Sequence, residues 1–422
     1  MTEISKTDKL PPEHALLVQQ SLLGRLNKWD WLFAAAIVLV AVLAQMWVSH
    51  HMDGYEQAIL WFSAVSTILL GWFFKPLRWF VPLSIALAYG AVKLYSGNID
   101  NGEGFLLRYF LSSQSAIMWQ CAFVFFALFC YIAGAVAAGR QHVPTNTLLD
   151  MASAFGWVSA LAGFTGLLVR WHESYLLRPD AGHMPVSTLY EVFILFLVIT
   201  ALMYLYYEKK FAMQKLGGFV FAFLAVVVVF VLWYSVSREA HAIQPLIPAL
   251  QSWWMKIHVP ANFVGYGAFC MAAMLGIAQL LALRSEAKGR KSWLPPSQMI
   301  EEVMYKAIAV GFLFFTIATI LGALWAADAW GRYWSWDPKE TWAFISVMVY
   351  AFVLHMRLVP GLRGRWAFHV AALFAISTIV MTYFGVNYYL SGLHSYAAGD
   401  PVPVPAWVYI GTAFMLTLAA VS

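Results

Sequence analysis

At 422 residues, with 62% hydrophobic and only 11% charged side chains and a mean hydropathy of +0.69, the chain is far too apolar for a soluble globular protein. Its net charge of +5 does not point to nucleic acid, because a basic balance in a multi-span chain reports retention of Lys and Arg on the cytoplasmic side. Three cysteines, Cys121, Cys130 and Cys270, each lie in an apolar run without a CxxC pair, so neither a disulfide framework nor a dithiol active site is indicated.

In chain order, a polar 28-residue tail precedes an apolar run that ends in Gln45, Met46 and Trp47 without a small-residue cleavage site, which predicts a retained helix rather than a signal peptide. Further runs long enough to cross a hydrocarbon layer follow at residues 57–74, 79–95, 115–138, 150–169, 187–207, 217–235, 259–283, 305–326, 341–356, 366–388 and 405–422. The expected fold is therefore all-α, a polytopic bundle of about twelve transmembrane helices, with 79–95 and 341–356 the shortest and most polar of the set. With the N-terminus inside, 18 of the 26 Lys and Arg residues fall on the cytoplasmic side and 8 on the outer side. No loop is long enough for a soluble domain. A soft boundary near Arg140 to Pro144 divides a four-helix extension, residues 1–140, from a core, residues 141–422, that carries the distinctive motifs.

Residues 325–342 read WAADAWGRYWSWDPKETW and hold 5 of the 20 tryptophans. An interfacial aromatic belt would account for the tryptophans alone. It would not require Gly331 for close backbone approach, Asp337 ahead of Pro338 to set a turn, and Glu340 to cap the next helix. Trp325, Trp330, Trp334 and Trp336 offer broad faces for a planar macrocycle, and the charges of Arg332 and Lys339 suit its carboxylates.

Most of the histidines need only solvated or capping roles: His14, His142 and His369 on the cytoplasmic side, and His50, His51, His172 and His241 in short outer loops. His258 and His394 flank the tryptophan segment on the same predicted face, a pair able to supply two axial imidazoles to haem iron. His355 differs, lying roughly 21 Å below the outer start of its span, where an ionisable side chain is expensive and usually functional.

The stretch WGRYWSWDPKETWAFI, together with GHMPVSTLYE from Gly182 to Glu191, the segment around His258 and GLHSYA from Gly392 to Ala397, resembles the CcsA (ResC) proteins of cytochrome c biogenesis, within the wider WWD group of haem-handling proteins. The resemblance covers about residues 150–400; Ala327 and Asp328 depart from its usual pattern, and residues 1–140 carry none of its motifs. It implies haem b as substrate and ligand, His258 and His394 as outer ligands, His355 as an intramembrane ligand, and the segment from Trp330 to Glu340 as the haem platform. It further implies a CcsB (ResB) membrane partner, apocytochromes carrying CxxCH, thiol-reducing proteins acting indirectly, and a place in the bacterial inner membrane with the WWD segment on the periplasmic side. Any enzymatic role would be as part of a holocytochrome c synthase. A b-haem respiratory subunit would instead hold haem between histidines on two spans, and a secondary transporter would show inverted repeats and broken helices; neither pattern is clear here.

Overall fold

The computed structural model describes residues 23–141, 143–178, 181–246, 248–289, 293–362, 366–390, 392–394 and 406–421. His14, His142, the basic residues Lys6, Lys9, Arg290, Lys291, Arg363 and Arg365, and positions 395–397 of the GLHSYA segment lie outside these. Every regular element among the described residues is helical. That is the expected solution for apolar segments, because inside lipid a backbone must satisfy its own N–H and C=O groups. The main helices are α1 Lys28–Val48, α2 Gly54–Phe73, α3 Leu77–Tyr95, α4 Ser113–Gln141, α5 Thr147–Leu177, α6 Leu189–Phe211, α7 Gly217–Arg238, α8 Trp254–Ala287, α9 Ser297–Trp330, α10 Pro338–Met356, α11 Trp366–Val380 and α12 Ala406–Val421. A π turn at Met381–Gly385 carries α11 on into Val386–Tyr389.

Each of the twelve expected spans falls on one of these helices, and ten of them are long and apolar enough to cross a membrane. The two outside that group are α10, whose 19 residues include Lys339, Glu340 and His355, and α12, whose apolar part is the short Tyr409–Val421. Several helices outrun their apolar cores. At 34 residues each, α8 and α9 extend roughly 51 Å, against a hydrocarbon layer of about 30 Å; α8 runs on through Pro260 near its start, and Gly331 closes α9 at φ +74. Capping boxes start the helices cleanly: Asn27 with Asp30, Asp53 with Glu56, Thr188 with Glu191, and Asp337 with Glu340.

Two compact units divide the chain, Met1–Leu83 and Ser84–Ser422. In the first, α1 and α2 form a hairpin whose buried carboxylate, Asp30, pairs with Lys75 at 2.5 Å and with Arg78. In the second, α4 packs on α5 and α8 on α9 along their lengths. Small residues permit the approach: a Cβ at Gly265 would meet Phe315 at 2.9 Å and one at Gly311 would meet Phe269 at 2.7 Å. The α8–α9 pair, with the ends of α6, α10 and α11, builds the site.

Candidate functional site

Where α9 ends and α10 begins, these five helices, with Tyr234 of α7, surround a cavity of about 380 Å³, within the usual size range of ligand sites. It is deep as well as open, since its lining runs along α9 from Trp330 down to Phe315 and along α8 from Met255 to Tyr266.

His258 sits one turn into α8 and points into this cavity. Its Nδ1–H donates to the Ala318 carbonyl of α9 at 2.8 Å, and its ring lies over Gly322, where a Cβ would come within 2.9 Å of Cε1. Trp325 meets the ring edge-on at 5.6 Å. His394, after the last turn of the α11 extension, lines the same cavity. Its Nδ1–H donates to Asp337 Oδ1 at 2.9 Å, and Trp330 packs against it edge-on at 4.8 Å. Both imidazoles thus commit Nδ1 to a fixed acceptor, which leaves the Nε2 lone pair for a metal, the arrangement that orients metal-binding histidines.

Asp337 holds the site together. It caps α10 through the Lys339 amide at 3.0 Å, accepts the Leu393 amide at 2.6 Å, and accepts the His394 imidazole. A Cβ at Gly392 would meet Asp337 Oδ2 at 2.2 Å, so the chain before His394 can come this close only with glycine. Burial alone would raise the Asp337 carboxyl, but these donors hold it below the ordinary range. Burial and then the nearby charge of Lys339 push the His394 imidazole below its usual value, which keeps it neutral and able to ligate.

The tryptophans divide into two sets. Trp325, Trp330 and Trp334 line the cavity, whereas Trp336 is 69% exposed and Tyr333 is exposed with it. The division follows from the backbone. Trp336 adopts φ +59, a conformation uncommon for a bulky residue, and is braced by Glu340, whose carboxylate accepts the amides of Ser335 at 2.7 Å and Asp337 at 3.2 Å. Glu340 lines the cavity; Arg332 is exposed and Gly331 caps α9, and neither is part of the lining. Lys339 does line it, with its ammonium 5.6 Å over the Tyr383 ring.

His355 is not part of this assembly. It is exposed on α10, and its Nδ1–H donates to Ala351 of its own helix at 2.7 Å. His369 is fully buried, with Nε2 3.7 Å from Glu301.

One network was not evident in the sequence. Arg170 of α5 is 1% exposed; its Nε donates to Glu191 at 2.8 Å and its Nη1 to the His241 carbonyl at 2.8 Å. The other Glu191 oxygen accepts the amides of Ser187 and Thr188, each at 3.1 Å, and Ser187 and Thr188 line the cavity. The cavity wall is therefore held from behind by a buried ion pair. The GHMPVSTLYE segment marked the place, but nothing in it named the arginine that it serves.

Comparison with known proteins identifies the family of the chain. Residues 186–394 match the family described as cytochrome C assembly protein, a span that runs from the Ser187 wall to His394. NrfI of Wolinella succinogenes is 34% identical over 250 residues, 59% of this chain and 26% of that protein. CcsA, a cytochrome c biogenesis protein, of Chlamydomonas reinhardtii is 35% identical over 232 residues, 54% of this chain and 64% of the relative. The chain thus spans about a quarter of the first and just under two thirds of the second. CcsA of Synechococcus elongatus is 32% identical over 315 residues, and there 64% of this chain covers 92% of the relative. With the fold polytopic and the match nearly end to end on that relative, the chain belongs to the cytochrome c assembly protein family, among the CcsA proteins of cytochrome c biogenesis.

Proposed function

We propose that this chain carries haem b to the outer face of the bacterial inner membrane and presents it there for covalent attachment to apocytochromes bearing CxxCH. The observation that carries the reading is the pair His258 and His394, each with Nδ1 anchored, lining one tryptophan-walled cavity. The donor set fits haem: two neutral imidazoles for the iron, and the faces of Trp325, Trp330 and Trp334 for the ring. Gly331, Asp337 and Glu340 shape the segment, and Arg332 and Trp336 lie on its exposed side. Residues 141–422 act as the haem-handling core, and residues 1–140 as an extension.

Thioether formation adds a thiol S–H across a haem vinyl, sulfur to one carbon and hydrogen to the other, with no net oxidation. The chain's part is to position and shield, which raises the effective concentration of the reacting groups. It would do so as part of a holocytochrome c synthase with a CcsB (ResB) type partner, on thiols kept reduced by other proteins. The N-terminus is cytoplasmic and residues 331–337 are periplasmic, supported by the 18 to 8 division of basic residues. His355, exposed on α10, suits an entry ligand whose opposite imidazole comes from the partner.

The test is purification of wild type, His258→Ala and His394→Ala with the partner, scored for bound haem and holocytochrome yield. Each variant should fold yet lose maturation, with partial rescue by added imidazole. Normal yield in both variants would rule out the ligand roles. Two tight low-spin haems at full stoichiometry would favour an electron carrier, and no haem at all a transporter of another solute.

A further inference from the structure

A cation inside an apolar wall is costly unless it meets an anion. Among the described residues lining the cavity, Lys339 is the one lysine or arginine and Glu340 the one carboxylate. Glu340 is committed to the Ser335 and Asp337 amides. Asp337, whose charge reaches Lys339, makes no ion pair with its ammonium; its oxygens accept the Lys339 and Leu393 amides and the His394 imidazole. Lys339 forms no ion pair among the described residues and rests over the Tyr383 ring at 5.6 Å, a weak partner for a full charge. Asn387, one helical turn beyond Tyr383, adds an amide to the same corner of the cavity. An unspent ammonium beside an amide is a receptor for a carboxylate.

On the reading of the site as a haem site, we infer that Lys339 takes a propionate carboxylate of the haem and so sets the rotation of the ring about the axis joining His258 and His394. Axial ligation fixes where the iron sits but leaves the macrocycle free to turn about that axis. A second anchor at the edge removes this freedom. The propionates lie on one half of the ring and the vinyls on the other, so the Lys339 corner receives the anionic half and the reactive vinyl edge faces away from it. A defined vinyl position is what two thiols in fixed order along a CxxCH segment require.

The experiment titrates iron protoporphyrin IX and its dimethyl ester, both in detergent, into the purified complex of wild type, Lys339→Met and Lys339→Arg, read by the two-imidazole absorption spectrum. Wild type should bind the free acid roughly tenfold or more tighter than the ester, the yield of one charge-assisted contact. Lys339→Met should lose that preference while keeping the two-imidazole spectrum, and Lys339→Arg should keep most of it. Equal affinity of wild type for acid and ester, with the spectrum intact, overturns the Lys339 role and leaves the histidine site standing; this arm needs no variant to fold. A preference undiminished in Lys339→Met overturns it equally. Failure of wild type to give a two-imidazole spectrum with either porphyrin removes the haem site itself, and the inference with it.

Discussion

The histidines near the tryptophan segment and those near the far end of α10 are the same residue type in opposite circumstances. His258 and His394 are each anchored by a different element, an α9 carbonyl and the Asp337 carboxylate, and both face one cavity. His355 donates only to its own helix and is exposed, while His369 is buried beside Glu301. One region is preorganised within the chain. The other offers a single imidazole on an open surface, which as a haem site would supply one of two ligands. The contrast teaches that the proposed outer site belongs to this chain alone, whereas an entry site at His355 would be completed only by a partner.

The largest expected effect tests that asymmetry. His355→Ala should leave the fold unchanged, because the side chain is exposed and its hydrogen bond goes to Ala351 of its own helix, yet a complex with the proposed partner should purify with little haem although His258 and His394 are intact. Added imidazole should restore it. Full haem content and normal maturation in the variant would return His355 to a local hydrogen-bonding role and end the comparison.

Asp337→Ala addresses the preorganised side. It removes the α10 cap, worth about 1 kcal/mol, and also the acceptor that orients His394. Bound haem should shift from a two-imidazole to a one-imidazole spectrum, with a modest fall in thermal stability; Asp337→Asn, which keeps an acceptor and a cap, should fall between. A two-imidazole spectrum unchanged in Asp337→Ala would mean that His394 is held by something else.

Much of this was legible in the residues. Apolar runs of spanning length placed the twelve main helices, because burial in lipid leaves the backbone little choice. The tryptophan segment and its flanking histidines marked the site. What stayed hidden was direction. Arg332 and Lys339 read as equivalent charges seven positions apart, yet Lys339 faces the cavity while Arg332 is exposed, and the left-handed turn at Trp336 lies between them. Arg170 counted among the basic residues of a predicted outer face, although it is buried against Glu191, 21 residues away. Composition records a charge but not its partner, and a buried pair becomes visible only when the helices that bring it together are in place.

The smallest effect concerns His183, which joins that buried pair. Its Nδ1–H donates to the Ala181 carbonyl at 2.6 Å, and its Nε2 lies 3.5 Å from Glu191. Burial works against its charge, but the adjacent Glu191 carboxylate, with the Ala181 carbonyl, outweighs burial and the opposing Arg170, so the imidazole titrates above its ordinary value. A pKa raised by folding adds stability that is fully present below the unfolded value, about 6.5, and is lost as pH rises through the folded value. Wild type should therefore exceed His183→Gln in thermal stability most clearly below about pH 6.5, with the gap closing toward alkaline pH. The increment is small because Glu191 is already held by Arg170, Ser187 and Thr188. Thermal unfolding of both proteins in detergent across this range measures it. A gap that stays constant with pH would show that His183 only packs there, and a gap that widens as pH rises would mean that Arg170 rather than Glu191 governs the imidazole, placing the cavity wall under repulsion instead of support.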